Sequence, residues 1–330
     1  MSRYLLLAFS FLGSTVAFGQ LLPNSSQTFQ LAPLYNPAFT GTDNFTSVKI
    51  GYRSQWASFP GAPRYFNLAA HGRIGKPVDM THNALKVGTT INKDDIPKLK
   101  RMIHGLGSTF VDESSGMNNM FEIMEGGVTY AAHYPLTKKM YLAGGVSVHY
   151  GSIRVRWEEL QLGSEQDKLV EALRGSSLSN MNVRTGLLLY TPRFYVHAAY
   201  LKTYVNNNTG LLSSDLRYRY RMSGGIGVRF DLSQATELAP SVGLLMDDFN
   251  NMSFDYSLKL YLRNRAWGGF SYRDNGFASL LLGFELNSLV GLSYSYEIST
   301  GGLSGFNNGS NEVIVGLKLA NLRRVNQYVW

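Results

Sequence analysis

Apolar and polar residues alternate with a period of two along most of the chain, most clearly from Leu216 to Leu232. Leu216, Tyr218, Tyr220, Met222, Ile226, Val228, Phe230 and Leu232 alternate there with Arg217, Arg219, Arg221, Ser223, Arg229 and Asp231. Successive side chains on a strand point to opposite faces, so one face is greasy and aromatic and the other carries arginines. Strands in soluble proteins run to roughly five or six residues. A tilted strand that crosses a bilayer needs roughly nine to eleven, and this segment is long enough.

Period-two segments separated by turn residues recur through the chain. They are Phe45 to Ala57, Arg64 to Gly75, Met102 to Asp112, Asn118 to Tyr134, Met140 to Trp157, Asn182 to Thr191 and Arg193 to Lys202. After the arginine segment come Thr236 to Asp248, Met252 to Arg263, Arg265 to Asp274, Gly276 to Asn287, Leu289 to Ser299 and Ser310 to Leu319. The pattern predicts an all-β fold, a transmembrane outer-membrane β-barrel of about 14 antiparallel strands, the even number that single-chain barrels prefer. Between Tyr150 and Ile153 the apolar parity switches, which predicts a β-bulge near Gly151. Phe277 to Leu286 is apolar on both faces, so its lumen side is expected to pack on a plug.

Connection lengths predict orientation, because such barrels keep short turns on the periplasmic side. Pro135 to Lys139, Pro192, Ser233 to Ala235, Asn264 and Ser288 are short and follow even-numbered strands, which puts both termini in the periplasm. The basic stretch Lys76 to Arg101 is long yet falls on that side. It reads either as a docking element or as an added hairpin.

The amino terminus adds an address. Arg3, the apolar run Tyr4 to Val16 and the small residues of Ala17-Phe18-Gly19 read as a signal peptide over 1–19, with the mature chain beginning near Gln20. Residues 20–44 then form a periplasmic segment or plug, 45–319 the barrel and 320–330 a tail. Zero cysteines exclude disulfides and thiolate metal sites, while twenty tyrosines and thirty-four glycines suit bent sheets with aromatic girdles.

Charge sharpens the expected lumen. The net charge of +8 does not point to nucleic acid, because the cations alternate with aromatics instead of forming a surface patch. Arg217, Arg219, Arg221, Arg229, Lys259, Arg263 and Arg273 are expected to face inward and to receive an acidic end of a partner protein. The competing reading is that they pair with Asp231, Asp255, Glu285 and Glu297 and stiffen the wall. No catalytic, cofactor or metal motif is present: His133, His149 and Ser152 share no nucleophile pattern, and Gly224-Gly225-Ile226-Gly227 lies within a strand. The chain is not expected to be an enzyme or to need a cofactor.

Two motifs carry a resemblance. YNPAFTGT, with Tyr35, Asn36, Pro37 and Gly41, precedes YRSQWASFPGAPRYFNLAAHG, with Arg53, Gln55, Trp56, Phe59, Pro60, Gly61 and Pro63. Together with HGLGSTFVDESSG, TYAAHYPL and NEVIVGLKL they resemble the PorP/SprF family, outer-membrane proteins of the type IX secretion system of Bacteroidota. The insertion at Lys76 to Arg101 and the tail Ala320 to Trp330 depart from that pattern.

The resemblance implies a barrel that works with the type IX machinery in outer-membrane lipid. It would secrete and hold at the surface a partner adhesin, of the gliding-motility type, or other cargo with a type B C-terminal domain. The Tyr35 to Thr42 motif is expected either to plug the periplasmic mouth or engage a periplasmic component, or only to set the register of the first strand. The Phe59 loop, flanked by Trp56 and Tyr65, is expected to face outside as part of an aromatic girdle or as an adhesin contact. The alternative function is an anion-favouring porin or small-solute channel.

Overall fold

The computed structural model describes residues 25–74, 102–137, 139–156, 178–207, 218–247, 251–262, 265–300 and 307–319. The leader, the Lys76 to Arg101 segment, the tail, Arg217 and Arg263 lie outside the described residues.

Fifteen strand segments follow one another: β1 (Thr46–Ser54), β2 (Arg64–Ile74), β3 (Ile103–Ser115), β4 (Phe121–Pro135), β5 (Tyr141–Val155), β6 (Leu178–Tyr190), β7 (Phe194–Asn207) and β8 (Tyr218–Val228). Then come β9 (Phe230–Ser233), β10 (Thr236–Asp247), β11 (Met252–Leu262), β12 (Ala266–Arg273), β13 (Phe277–Glu285), β14 (Val290–Ser299) and β15 (Ser310–Leu319). β8 and β9 are two pieces of one wall strand, interrupted at Arg229 and both paired with β10. Each wall strand pairs antiparallel with the next, and β15 returns to β1 from Thr46↔Leu319 to Ser54↔Asn311. The result is a closed fourteen-strand barrel. Closure leaves no unpaired strand edge, the condition for placing a sheet in hydrocarbon.

The outer face is the one the alternation assigned to lipid. Leu106, Val128, Tyr150, Leu187, Ile226, Tyr256, Leu258 and Leu280 are exposed, while their strand neighbours Thr109, Glu125, His149, Arg184, Lys259 and Ser279 are buried inside. Apolar side chains out and polar side chains in is the inverse of a soluble protein and the rule for a transmembrane barrel.

Three expectations are corrected. There is no bulge at Gly151: β5 keeps an unbroken register with β4 and β6 through Gly151, Ser152 and Ile153. The parity switch marks where the outer face turns polar, with Arg154 ion-paired to Glu122 at 3.3 Å across the strand pair, as in a wall rising past its apolar band. The register shift lies instead at Thr236/Glu237, where β9 meets β10. β6 and β7 run further than the alternation indicated, to Leu178 and Asn207, because inward Asn180 and Asn182 are held by Glu125. Tyr65 is no girdle residue. It points inward, buried, and its hydroxyl bonds Glu113 on β3.

Candidate functional site: the occupied lumen

The interior is filled by the chain's own residues 25–43. Most of this segment is buried: Ser25, Gln27, Leu31, Leu34, Asn36, Ala38 and Thr40 are all at most 1% exposed. It contains one helical turn, α1 (Ala32–Tyr35), and a 3₁₀ turn, Pro37–Phe39. Leu31 and Leu34 pack on Ala69, Val111 and Ile314, while Ala38 and Phe39 pack on Ile103, Tyr141, Leu188, Tyr190 and Tyr195. Removing such side chains from water contributes about 1.5–3 kcal/mol each. The barrel therefore has an apolar core, shared between its wall and this inner segment.

The segment runs along the lumen against the direction of β1. Ser25 lies level with Arg53, towards the end carrying the Phe59 loop, whereas Gly41 and Thr42 lie level with Arg73 at the other end, where β1 begins. The Ser25 hydroxyl donates to Glu312 Oε1 at 2.5 Å, the Ser26 amide to Glu312 Oε2 at 2.9 Å, and the Ser26 hydroxyl to Glu297 at 3.0 Å. Midway, Lys49 donates to Gln30 at 2.6 Å. Tyr35 is half-buried and packs on the cluster of Leu31, Leu34, Ala69, Val111 and Ile314.

The Asn-Pro turn shows what its residues are for. Asn36 Oδ1 caps the 3₁₀ turn by accepting from the Ala38 amide at 2.9 Å, and Pro37 occupies the first turn position, where no N–H is needed. Asn36 Nδ2 donates outward to Leu187 O and Ala198 O, at 3.3 and 3.2 Å, which fastens the turn to β6 and β7. This approach requires bare backbone beneath it. A Cβ on Gly186 would fall on Asn36 Oδ1, and one on Gly145 would stand 2.5 Å from the Ala38 nitrogen. Gly41, at φ +82, then turns the chain. Its amide meets His71 at 3.2 Å, and Arg73 grips the Gly41 and Thr42 carbonyls at 2.8 and 2.7 Å. His133 donates Nε2–H to Thr40 O at 2.8 Å and accepts the Tyr190 hydroxyl at Nδ1.

The inner wall carries paired charge. Arg53, wholly buried, reaches Glu297 at 2.5 Å and Glu312 at 3.8 Å and also donates to Ser26. On the opposite side Arg184 meets Glu125 at 2.8 Å and His149 Nδ1 at 2.7 Å. Because arginine only donates, His149 holds its proton on Nε2 and donates that N–H to Thr109 Oγ1 at 2.5 Å. Alternation alone did not single out this second network. Its signal was present, however, as Glu125, His149 and Arg184 at inward parity on three adjacent strands.

The cations expected to line the lumen divide accordingly. Arg273 pairs with Asp255 at 3.3 Å and Arg229 with Glu237 at 3.0 Å, while Lys259 lies under the Phe29 ring at 3.6 Å. Arg219 and Arg221 occupy β8 opposite Thr203 and Leu201. Of the proposed acidic partners, Glu297 is taken by Arg53, Glu285 by Lys318 and Asp231 by Arg193. Among the described residues Arg53, Arg184, Arg229, Arg273 and Lys318 thus each have a carboxylate partner.

The Gln55–Pro63 connection is tied to two neighbouring connections at one end of the barrel. Trp56 and Ser58 have positive φ, 49° and 73°, the Ala57 amide donates to Gly309 O at 2.7 Å, and the Gly116 amide donates to Gly61 O at 2.8 Å. Gln55 is buried beneath it, its amide donating to Pro63 O. Phe59 is about half exposed at the tip. The catalytic geometry considered for His149 and Ser152 does not form, since His149 faces inward and Ser152 outward. Among the described residues no three His, Asp or Glu side chains gather as a metal site.

Residues 17–317 match the family described as type IX secretion system membrane protein PorP/SprF. No curated protein matches. Similar solved structures include the CymD monoaromatic hydrocarbon channel, at 12% identity over 91% of this chain and 93% of that one, TM-score 0.46. Acinetobacter baumannii Omp33 is 9% identical over 85% and 100%, TM-score 0.46. The P. putida toluene transporter TodX is 10% identical over 86% and 92%, TM-score 0.45.

Proposed function

The chain belongs to the PorP/SprF family of type IX secretion system membrane proteins, and from that premise we propose that it is a non-enzymatic outer-membrane barrel that secretes a partner adhesin or type B C-terminal-domain cargo and holds it at the cell surface. The observation that carries the reading is the family match over nearly the whole chain, both motifs included. The internal segment supports an attachment platform over an open pore, because residues 25–43 occupy the space a porin leaves to water. In this reading the segment is a plug and the Phe59 loop faces outside, so Ser25 lies towards the outer mouth and Thr42 towards the periplasmic one, while β15 ends on the periplasmic side as the short turns indicate.

We assign the cargo contact to Arg217, Arg219 and Arg221, three arginines at alternate positions of one segment. Replacing these three by glutamine is expected to reduce surface-retained cargo several-fold without altering the heat-modifiable gel mobility of the barrel. Cargo held at wild-type level on whole cells would assign the arginines a structural role only. In planar bilayers the purified barrel is expected to be silent. A steady anion-favouring conductance in the wild type would instead select the porin.

A further inference from the structure

We propose that the lumen binds a small free oxyanion between the inner segment and the β10–β12 wall, held by Lys259. The Lys259 side chain is 1% exposed, yet no carboxylate lies within 4.0 Å and no described residue accepts a hydrogen bond from it. Its contact is the Phe29 ring at 3.6 Å, which covers one side of the ammonium. Asp255, the inward acid four residues before it, is engaged by Arg273 at 3.3 Å. Asp255 acts on Lys259 only through space, so the ammonium, withdrawn from water with no carboxylate in contact, has room for a bound anion.

The surroundings are shaped to receive one. Lys259 opens onto a cavity of about 130 Å³ that is also lined by Ser241, Ser257 and Ser271 and by two carboxylates, Asp43 and Asp255, the second of which is held by Arg273. These serines are direct cross-strand partners, Ser241↔Ser257 and Ser257↔Ser271, so their Cβ atoms form a row at one level on neighbouring strands, spaced about 4.8 Å apart. Ser257 precedes Lys259 by two residues and shares its inward face. An ammonium beside the Ser257 and Ser271 hydroxyls supplies donors from two directions to tetrahedral or planar oxygens, while Ser241 is shared with the Tyr195 hydroxyl. The volume suits an ion of a few heavy atoms, since an engineered cavity of roughly 150 Å³ admits benzene. The proposed occupant is a diffusible anion such as phosphate or a short carboxylate. The inference does not depend on the cargo reading, because the full-length purified barrel contains the whole site.

The test is the heat-induced mobility shift of the detergent-purified protein, titrated with sodium phosphate or sodium acetate against sodium chloride at matched ionic strength. A ligand bound only to the folded barrel raises its transition by mass action. The wild type is expected to show a saturable rise of several degrees with at least one oxyanion. Lys259→Met is expected to lose the rise while migrating as a folded barrel. Should that variant fail to fold, Ser257→Ala with Ser271→Ala keeps the lysine and is expected to weaken the apparent affinity by about tenfold or more, the scale of a lost hydrogen bond to a charged group. An equal, saturable rise in wild type and Lys259→Met, or a wild type that responds to neither anion, overturns the proposal.

Discussion

Arg53→Met is expected to cost the barrel about 3–5 kcal/mol, the range for removing one partner from a buried ion pair. Arg53 is wholly enclosed and is the cation that Glu297 and Glu312 share, at 2.5 and 3.8 Å. Without it two carboxylates face each other in a closed space, and Ser26 loses the guanidinium that orders it. The loss is larger than for a rim pair such as Arg193–Asp231, where both side chains are mostly in solvent and the expected change is about 0–1 kcal/mol. The temperature of the heat-modifiable transition reads the difference. Combining Arg53→Met with Glu297→Gln and Glu312→Gln is expected to recover part of it, since the repelling charges go too. An Arg53→Met transition at the wild-type temperature would mean that the three charges are not coupled as the geometry requires.

The second large effect is expected at Gly186. Valine there places atoms where Asn36 Oδ1 sits, so the cap on the Pro37 turn and the donations to Leu187 and Ala198 are lost together. Overpacking of this kind costs about 1–3 kcal/mol. The wall can keep its ladder, so the strain is relieved by moving the inner segment. Two readouts follow: protease access to residues 25–43 in the detergent-purified barrel, and conductance in bilayers that are silent with wild type. Gly144→Val is the control, because a Cβ there meets only Leu187 Cδ2, at 3.9 Å on the outer face. If Gly186→Val remained as protected and as silent as Gly144→Val, the turn would not depend on the bare backbone beneath it.

Much of this architecture could be read from alternation because a barrel wall is a local code. Each residue's face follows from parity, and Val48, Ile50 and Tyr52 opposite Lys49, Gly51 and Arg53 came out as expected. Parity says which way a side chain points and nothing about its partner. Glu297 was therefore placed inside correctly but assigned to the wrong cations, since Arg53 is 244 residues away in sequence. The β5 error has a similar origin: polar outward residues can mean a slipped register or a strand that has left the lipid, and only pairing with β4 and β6 separates them. The path of residues 25–43 was the least legible part. With neither period two nor a long helix, their only signals were the Asn-Pro turn and the inward glycines that accommodate it.

The route of the inner segment bears on how such a molecule is built. Ser25 and Ser26 hold Glu312 on β15 and Glu297 on β14, and Arg53 on β1 joins the same group. The first and last strands made by the ribosome are thus clasped by residues translated just before the first of them. Contacts spanning up to 287 residues form late in folding, because their loop-closure entropy is met only once most of the wall exists. The leading peptide then acts as a splint across the seam, so docking it and zipping up the cylinder are coupled steps.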